Sequence, residues 1–383
     1  MKKTKIFSRA DKSVLGQWWW TVDRGMLTAL MTLVVFGIVL VTAASPPVAE
    51  RIGLSEFHFV KRHLILLVPS LAMMFGISLL SPRQVWRVAS ILLAGTILAL
   101  VYVLFSGIEI KGAQRWIHLP GFSLQPSEFA KPAFAVVAAW FMVKQKETPD
   151  FPGIKIAAGL FLLVITLLLL QPDLGMSVVL TAIYGAQIFL AGFPLWLVFV
   201  FGTLGVCGLV AAYFVFPHVQ SRIDRFLDPA SGDNYQVQKS LEAFQNGGVF
   251  GTGPGQGEIK LQLPDAHADF IFSVIGEEMG MMVVGVVILL FTYILLRGFN
   301  RLMDSDDLFI ILAVGGLLTM FGVQTLIHMG SSLSLLPAKG MTLPFISYGG
   351  SSLLSISIAM GMVLALTRRK TKRSIAKGSL VKR

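Results

Sequence analysis

The chain has 383 residues, of which 55% are hydrophobic and 14% are charged, and its mean hydropathy is +0.73. Soluble domains carry about 25% charged residues, so this composition excludes a soluble globular protein. The net charge of +11 does not indicate nucleic-acid binding, because the charges lie in short connections and tails between apolar runs. The single cysteine, Cys207, excludes an internal disulfide and a cysteine-based metal site.

Apolar runs long enough to cross a bilayer recur along the chain, since a spanning helix needs about 20 residues. They predict an all-α polytopic membrane protein of ten helices, in which residues 173–222 form two spans divided at Gly192-Phe193-Pro194. Residues 217–268 are predicted to form a large extracytoplasmic loop between helices seven and eight. The other predicted spans cover approximately 25–44, 63–80, 85–105, 125–143, 154–170, 269–296, 308–329 and 348–366.

Lysine and arginine are more frequent on one side of these spans, the side that includes both ends of the chain. Because positive residues concentrate on the cytoplasmic side, both termini are predicted to be cytoplasmic. The predicted organisation is a basic N-terminal tail at 1–24, a membrane domain at 25–367 and a basic C-terminal tail at 368–383. The first span has no signal-cleavage site after it and is predicted to act as an uncleaved anchor.

Polar residues cluster in the outward-facing connections, directly beside the spans. If these connections converge, they form a cationic cavity that opens outward and suits an anionic amphiphile with a polar head and a lipid tail. The candidate binding residues in them are Lys111, Arg115, Trp116, Gln125, Ser127, Arg222, Arg225, His267, Lys339, Ser347 and Ser351.

Glu128 and Lys131 lie inside the predicted fourth span, three residues apart and hence on one helix face. A lone charge in hydrocarbon is costly, so the two are predicted to pair and to face the cavity. The pair is either purely structural or also orients substrate. Glu277 and Glu278 lie within the eighth span, and one of them must face the bundle interior or a partner.

Asp269 begins the eighth span at its outward end. It is either the N-cap of that helix or a general base. His267 has three open roles, as a ligand, a proton donor or a packing residue. Arg222 and Arg225 suit phosphate contacts but equally suit anchoring to lipid headgroups.

Metal and nucleotide motifs are not recognisable in the sequence. No HExxH motif or pair of histidines at helical spacing indicates a zinc site. The glycine-rich segment 247–257 lacks the G-K-[ST] ending of a phosphate-binding loop, so its glycines are predicted to form turns.

Several separated motifs resemble those of the SEDS family (shape, elongation, division and sporulation), over approximately residues 23–369. The last outward loop is similar to that of division-type members rather than elongation-type members. Asp265 and Ala268 stand where many relatives have Glu and Thr. The motifs are GAQRWI at 112–117, QPSE at 125–128 with Lys131, QPDLG at 171–175, RFLDP at 225–229, HADFIF at 267–272 with Glu277 and Glu278, and PFISYGGSS at 344–352.

The resemblance implies a peptidoglycan glycosyltransferase that polymerises lipid II into β-1,4 glycan, inverts the MurNAc anomeric carbon and releases undecaprenyl diphosphate. It implies that Asp269 is the catalytic base, and that Lys111, Arg222 and Arg225 are candidates for phosphate contact. Glu128 and Lys131 match the buried pair of the family. No cofactor is required by the residues present, although a divalent cation, Mg²⁺ or Mn²⁺, is compatible with the chemistry.

The resemblance also implies a place and partners for the chain: the bacterial inner membrane at the division septum, a class B penicillin-binding protein and other divisome membrane proteins. Three alternatives remain open: a lipid II flippase, an elongation-type polymerase and a scaffold that only recruits a synthase. A transporter is expected to show internal repeats and polar residues at the membrane midplane. No repeat is evident, and the polar motifs crowd one membrane face, which favours the enzyme.

Overall fold

The computed structural model describes residues 13–110, 113–119, 122–193, 195–215, 220–221, 223–224, 226, 235–337 and 340–369. Helices dominate the described residues, and they lie close to the predicted segments. Before the sheet they are α1 Val14–Thr21, α2 Arg24–Arg51, α3 His58–Ser78 and α4 Pro82–Ser106. After it they are α5 Pro126–Glu147, α6 Gly153–Leu170, α7 Leu174–Leu190, α8 Leu195–Val215, α9 Tyr235–Gly247, α10 Ile271–Met303, α11 Leu308–Ser332 and α12 Gly350–Leu366.

Local sequence signals set several helix starts. The Asp23 carboxylate accepts a hydrogen bond from the Met26 amide at 3.0 Å and caps α2. Asp307 caps α11 in the same way, and Ser81 with Gln84 forms a capping box before α4. Pro126 occupies the first turn of α5, where its missing N–H costs nothing.

The all-α prediction misses a small sheet between α4 and α5. Strands β1 (Ile108–Ile110), β2 (Ala113–Leu119) and β3 (Phe122–Leu124) form an antiparallel sheet in the order β1-β2-β3. Trp116 pairs with Ile108, and His118 pairs with Ser123. The sheet delivers the chain to Gln125 at the start of α5.

Helix α5 lies at the centre of the bundle. It packs against α4, α6, α7, α11 and α12, so every side chain from Pro126 to Ala139 is buried. This is why Glu128 and Lys131 lie inside protein and not against lipid.

Six helices among the described residues are long and apolar enough to cross a membrane: α2, α3, α4, α6, α10 and α11. Helices α7 and α12 are apolar but shorter. The hydropathy of these segments indicates a multi-pass membrane protein.

Helix α10 is interrupted at Gly280, whose φ of 77° and ψ of 174° are not helical. The interruption frees backbone groups, and the segment after α9 satisfies them. Thr252 and Gly253 donate their amides to the carbonyls of Glu277 and Glu278, at 2.9 and 3.0 Å. The Met281 amide donates in return to the Gly248 carbonyl at 3.0 Å. The predicted eighth helix therefore consists of two helical pieces that meet at Gly280, and the segment after α9 hydrogen bonds to both of them.

Candidate functional site

Asp269 lies in the turn that precedes α10, and its side chain is half-buried. The N-cap of α10 is Phe270, so the interpretation of Asp269 as the N-cap is wrong. Its carboxylate faces the backbone of Gly340, where a Cβ atom would lie 3.0 Å from Oδ2. The turn before α10 and the segment before α12 therefore meet at this carboxylate.

Ser347 and Tyr348 bind the turn that carries Asp269. The Ser347 hydroxyl donates to the Ala268 carbonyl at 2.7 Å, and the Tyr348 amide donates to the His267 carbonyl at 2.9 Å. The same hydroxyl accepts from the Leu343 amide at 2.8 Å. Ser347 is buried in this position, so its described contacts are structural and hold Asp269 in place.

His267 packs in an aromatic cluster. Its ring centroid lies 4.3 Å from that of Phe59 and 5.1 Å from that of Tyr348. Burial lowers the pKa of His267 to about 4, against a weaker opposing effect of the Asp265 charge. The imidazole is therefore neutral near pH 7, which disfavours the role of proton donor, and its ring contacts favour the packing role.

Arg62 is a cation near this site that the sequence did not single out as a candidate. Its side chain hydrogen bonds to Tyr348. Burial raises the pKa of the Tyr348 phenol and outweighs the charge of Arg62, which acts to lower that pKa. Arg62 is exposed on the first turns of α3, beside the aromatic cluster. Its exposed position leaves it accessible to an anionic substrate.

Glu128 and Lys131 form the predicted ion pair, with Lys131 Nζ 2.8 Å from Glu128 Oε2. The prediction of a pair is confirmed, but the side chains are 4% and 0% exposed and face the protein interior, not an open cavity. Lys131 Nζ also donates to Gln324 Oε1 at 2.8 Å. Because α5 is surrounded by helices, no face of its first turns remains open.

Gln324 extends this pair to the segment that faces Asp269. Its Nε2 donates to the Thr342 carbonyl at 3.2 Å and to the Ser352 hydroxyl at 3.2 Å. The Thr342 hydroxyl donates to Ser352 at 2.6 Å. A buried polar network therefore runs from the ion pair to residues 342–352, the same segment that binds the Asp269 turn.

Arg115, which was predicted to bind substrate, is engaged with backbone. Its Nε donates to the Gln171 carbonyl at 3.1 Å, its Nη2 donates to the Pro172 carbonyl, and its Nη1 lies 4.0 Å from Asp173 Oδ1. Trp116 follows it in β2 and is half-buried. Arg115 thus connects the sheet to the turn between α6 and α7.

Gln125, Ser127 and Ser351 complete that junction. The Gln125 and Ser127 side chains donate to Asp173 Oδ2 at 3.3 and 3.2 Å. The Ser351 hydroxyl accepts from the Gln125 amide at 2.9 Å and donates to the Ser123 carbonyl at 3.1 Å. For all three, contact with substrate stays a prediction, because their described bonds are structural.

Glu277 and Glu278 are both buried, and both bind the segment between α9 and α10. Glu277 accepts from the Ile259 and Lys260 amides at 2.7 and 2.9 Å. Glu278 pairs with the buried Lys260 ammonium, which also donates to the Ala43 carbonyl at 3.0 Å. The sequence left open which glutamate faces inward, and the structure answers that both do.

Four of the predicted cations lie outside the described residues: Lys111, Arg222, Arg225 and Lys339. Within the described ranges, no group of three or more His, Cys, Asp or Glu side chains is arranged to hold a metal ion. The site residues missed from the sequence are Arg62, Gln324, Lys260 and Asp173. For Asp173 the signal was present, since it lies in the QPDLG motif.

If Asp269 is the reacting group that the sequence predicts, replacing Gly340 by alanine is expected to lower the activity about 3- to 10-fold. The added Cβ would displace the carboxylate by a few tenths of an ångström, and small misplacements of reacting groups are costly. Gly95→Ala is the control, because a Cβ there meets nothing within 4 Å. Steady-state rates of both purified variants test this, and equal rates would contradict the prediction that the Asp269 carboxylate takes part in the reaction.

Comparison with known proteins shows the family to which this chain is similar. The family described as cell cycle protein, FtsW/RodA/SpoVE, matches residues 24–372. The probable peptidoglycan glycosyltransferase FtsW of Caulobacter vibrioides is 42% identical over 368 residues, covering 96% of this chain and 94% of that protein. The protein of the same name from Escherichia coli O6:H1 is 35% identical over 370 residues, covering 93% and 89%.

Solved structures agree with this relationship. A chain from a structure titled as the coordination of polymerization and crosslinking by a peptidoglycan synthase complex has a TM-score of 0.75 and 29% identity, covering 91% of this chain and 98% of that one. The rod shape determining protein RodA of Thermus thermophilus has a TM-score of 0.66 and 27% identity, covering 92% and 99%. The chain therefore belongs to the FtsW/RodA/SpoVE family.

Proposed function

We propose that this chain is a peptidoglycan glycosyltransferase of the division type, which polymerises lipid II at the septum. The observation that carries the proposal is the half-buried Asp269 carboxylate at the start of α10. The turn that carries it is hydrogen bonded to Ser347 and Tyr348, in the segment before α12. The relatives named peptidoglycan glycosyltransferase FtsW support the assignment.

The proposed reaction joins two lipid-linked units. The 4-hydroxyl oxygen of an acceptor GlcNAc attacks the anomeric carbon of a donor MurNAc, while the bond from that carbon to the diphosphate breaks. Asp269 accepts the hydroxyl proton as a general base. The α-linked donor becomes a β-linked product, because attack comes from the face opposite the leaving group. Undecaprenyl diphosphate carries away the bonding electrons.

The leaving diphosphate needs positive charge near it. We propose that Lys111, Arg222, Arg225 and Lys339 supply it from the outward connections, and that the exposed Arg62 adds to it. We propose no resident metal; Mg²⁺ or Mn²⁺ would enter with the substrate diphosphate.

The flippase and the elongation-type polymerase are less well supported than the division polymerase. The interruption of α10 at Gly280 is a feature that transporters share, but its freed backbone groups are bound by the adjacent loop instead of facing a midplane cavity. The relatives from Caulobacter vibrioides and Escherichia coli carry the division name, and this favours FtsW-type over RodA-type activity.

The partner proposed is a class B penicillin-binding protein, a transpeptidase with one membrane span, and other divisome membrane proteins are expected beside it. The neighbour from a synthase complex supports this. Purified chain and partner, given lipid II with transpeptidation blocked, are expected to form glycan polymer, and the chain alone should form it slowly. Absence of polymer under every condition would contradict the proposed glycosyltransferase activity. Polymerisation at the full rate without the partner would contradict activation by the partner.

We propose ten membrane spans in the inner membrane, with both termini cytoplasmic. Helices α5, α7, α8 and α12 lie in the four predicted segments beyond the six long apolar helices. Single cysteines at Ser8 or Gly378, in a Cys207→Ser background, should resist a membrane-impermeant thiol reagent in spheroplasts. A cysteine at the exposed Gln262 should react and serves as the control. Reaction at Ser8 without permeabilisation would contradict this topology.

A further inference from the structure

A second cluster of charged residues lies at the opposite end of the bundle from Asp269, where α2 begins and α10 ends. Asp23 is buried there and forms ion pairs with Arg297 Nε at 2.5 Å and Arg301 Nε at 2.8 Å. Burial acts to raise the pKa of Asp23, but the hydrogen bonds from Met26, Arg301 and Arg297 outweigh it and hold the pKa below its usual value. The ionised carboxylate therefore fixes two guanidinium groups in position.

These groups line a cavity of about 500 Å³ with Trp20, Val22, Arg24 and Arg369. Four arginines and one aspartate leave three positive charges in excess. The Arg24 guanidinium lies over the rings of Trp19 and Trp20, at 4.8 and 4.6 Å from their centroids. A preorganised, partly enclosed set of guanidinium groups is the arrangement that binds phosphate oxygens through paired N–H donors.

The position of the cavity indicates the kind of molecule that supplies the phosphate group. Helices α2 and α10 are both apolar enough to span a membrane, and the tryptophans beside Arg24 are residues typical of the membrane interface. The side concerned is the one predicted to face the cytoplasm, where anionic lipids attract basic segments. The adjoining tails contain few acidic side chains that could bind in this cavity: residues 370–383 contain no Asp or Glu, and residues 1–12 contain only Asp11.

We propose that this cavity binds the phosphate of an anionic lipid headgroup. The bound phosphate would bridge Arg24 at the start of α2, Arg301 at the end of α10 and Arg369 after α12. The Arg369 amide already donates to the Thr21 carbonyl at 2.9 Å, which brings the end of the bundle to this place. A ligand that binds only the folded protein raises its thermal stability, so occupancy is measurable without any assay of activity.

The test removes the two arginines that do not pair with Asp23. The double variant Arg24→Gln with Arg369→Gln keeps both ion pairs of the buried carboxylate. The matched control is Arg83→Gln with Arg87→Gln, two exposed arginines near the start of α4, on the same predicted membrane side. Purified proteins in neutral detergent are titrated with phosphatidylglycerol, with phosphatidylcholine or with inorganic phosphate, and the unfolding temperature is recorded.

Phosphatidylglycerol should raise the unfolding temperature of the wild type and the control, and phosphatidylcholine should not. The pocket variant should need at least about tenfold more phosphatidylglycerol for the same rise, equivalent to the loss of one charge-assisted contact. An equal response of the pocket and control variants would overturn the site. An equal response to millimolar inorganic phosphate would overturn the lipid and leave a soluble phosphate as ligand. If the double variant fails to fold, Arg369→Gln alone is compared with Arg83→Gln by the same criteria.

Discussion

Replacing Asp269 by asparagine is expected to lower the rate of glycan polymerisation about 10²–10⁴-fold, the range that general base catalysis contributes. Asparagine keeps the size of the side chain and removes its ability to accept the proton. Expression, thermal stability and binding of lipid II should stay near wild type, because the turn is held by the backbone bonds to Ser347 and Tyr348.

Asp265→Asn is the matched control for this variant. Asp265 lies in the same turn, is also half-buried and has a positive φ of 51°, which asparagine tolerates well. Its polymerisation rate should stay close to wild type. An Asp269→Asn enzyme that retains more than about a tenth of the wild-type rate would contradict the role of base.

Removing the carboxylate of Glu128 is expected to destabilise the protein by about 3–5 kcal/mol, because it leaves the fully buried Lys131 ammonium without its counter-charge. Thermal unfolding of Glu128→Ala in detergent measures this loss. The matched control lies on the same helix: Glu147 pairs with Lys144 at 3.3 Å with the same spacing, but the side chains are 63% and 39% exposed. Glu147→Ala should cost at most about 1 kcal/mol.

The double variant Glu128→Gln with Lys131→Met distinguishes a structural pair from a functional one. It removes both charges, so much of the stability should return. Polymerisation should remain impaired, since Gln324 loses its contact with Lys131 and the pair is no longer linked through Gln324 to Thr342 and Ser352. A stable and fully active double variant would show that the pair has no part in arranging the site.

The positions of most helices in the bundle could be predicted from the local sequence. Hydropathy located the helices because lipid solvation depends on composition along a single segment. The spacing of Glu128 and Lys131 predicted their pairing, since neighbours on one helix turn meet whatever surrounds them. That they face inward was not readable, because it depends on which helices surround α5.

The roles of the loop residues depended on contacts distant in sequence. Arg115 was predicted to bind substrate, and the contacts that the structure describes are with carbonyls more than fifty residues away, which no local pattern indicates. Gln324 is a polar residue in an apolar helix, and no pattern in the sequence indicates its role. That role depends on its contact with Lys131, which is distant in sequence. The interruption at Gly280 gave no clear signal, because glycine is common in membrane helices.

The partnership of Lys260 with Glu278 also constrains the order of events during synthesis. Lys260 leaves the ribosome before Glu278, and a charged ammonium is not stable in an apolar interior without its counter-charge. We therefore expect the loop that carries Lys260 to stay in water or at the headgroup level until the first half of α10 has emerged. Only then do Glu277 and Glu278 bind the loop and complete the backbone pairing at Gly280. At this end of the bundle we therefore expect a later segment of the chain to fix an earlier one in position.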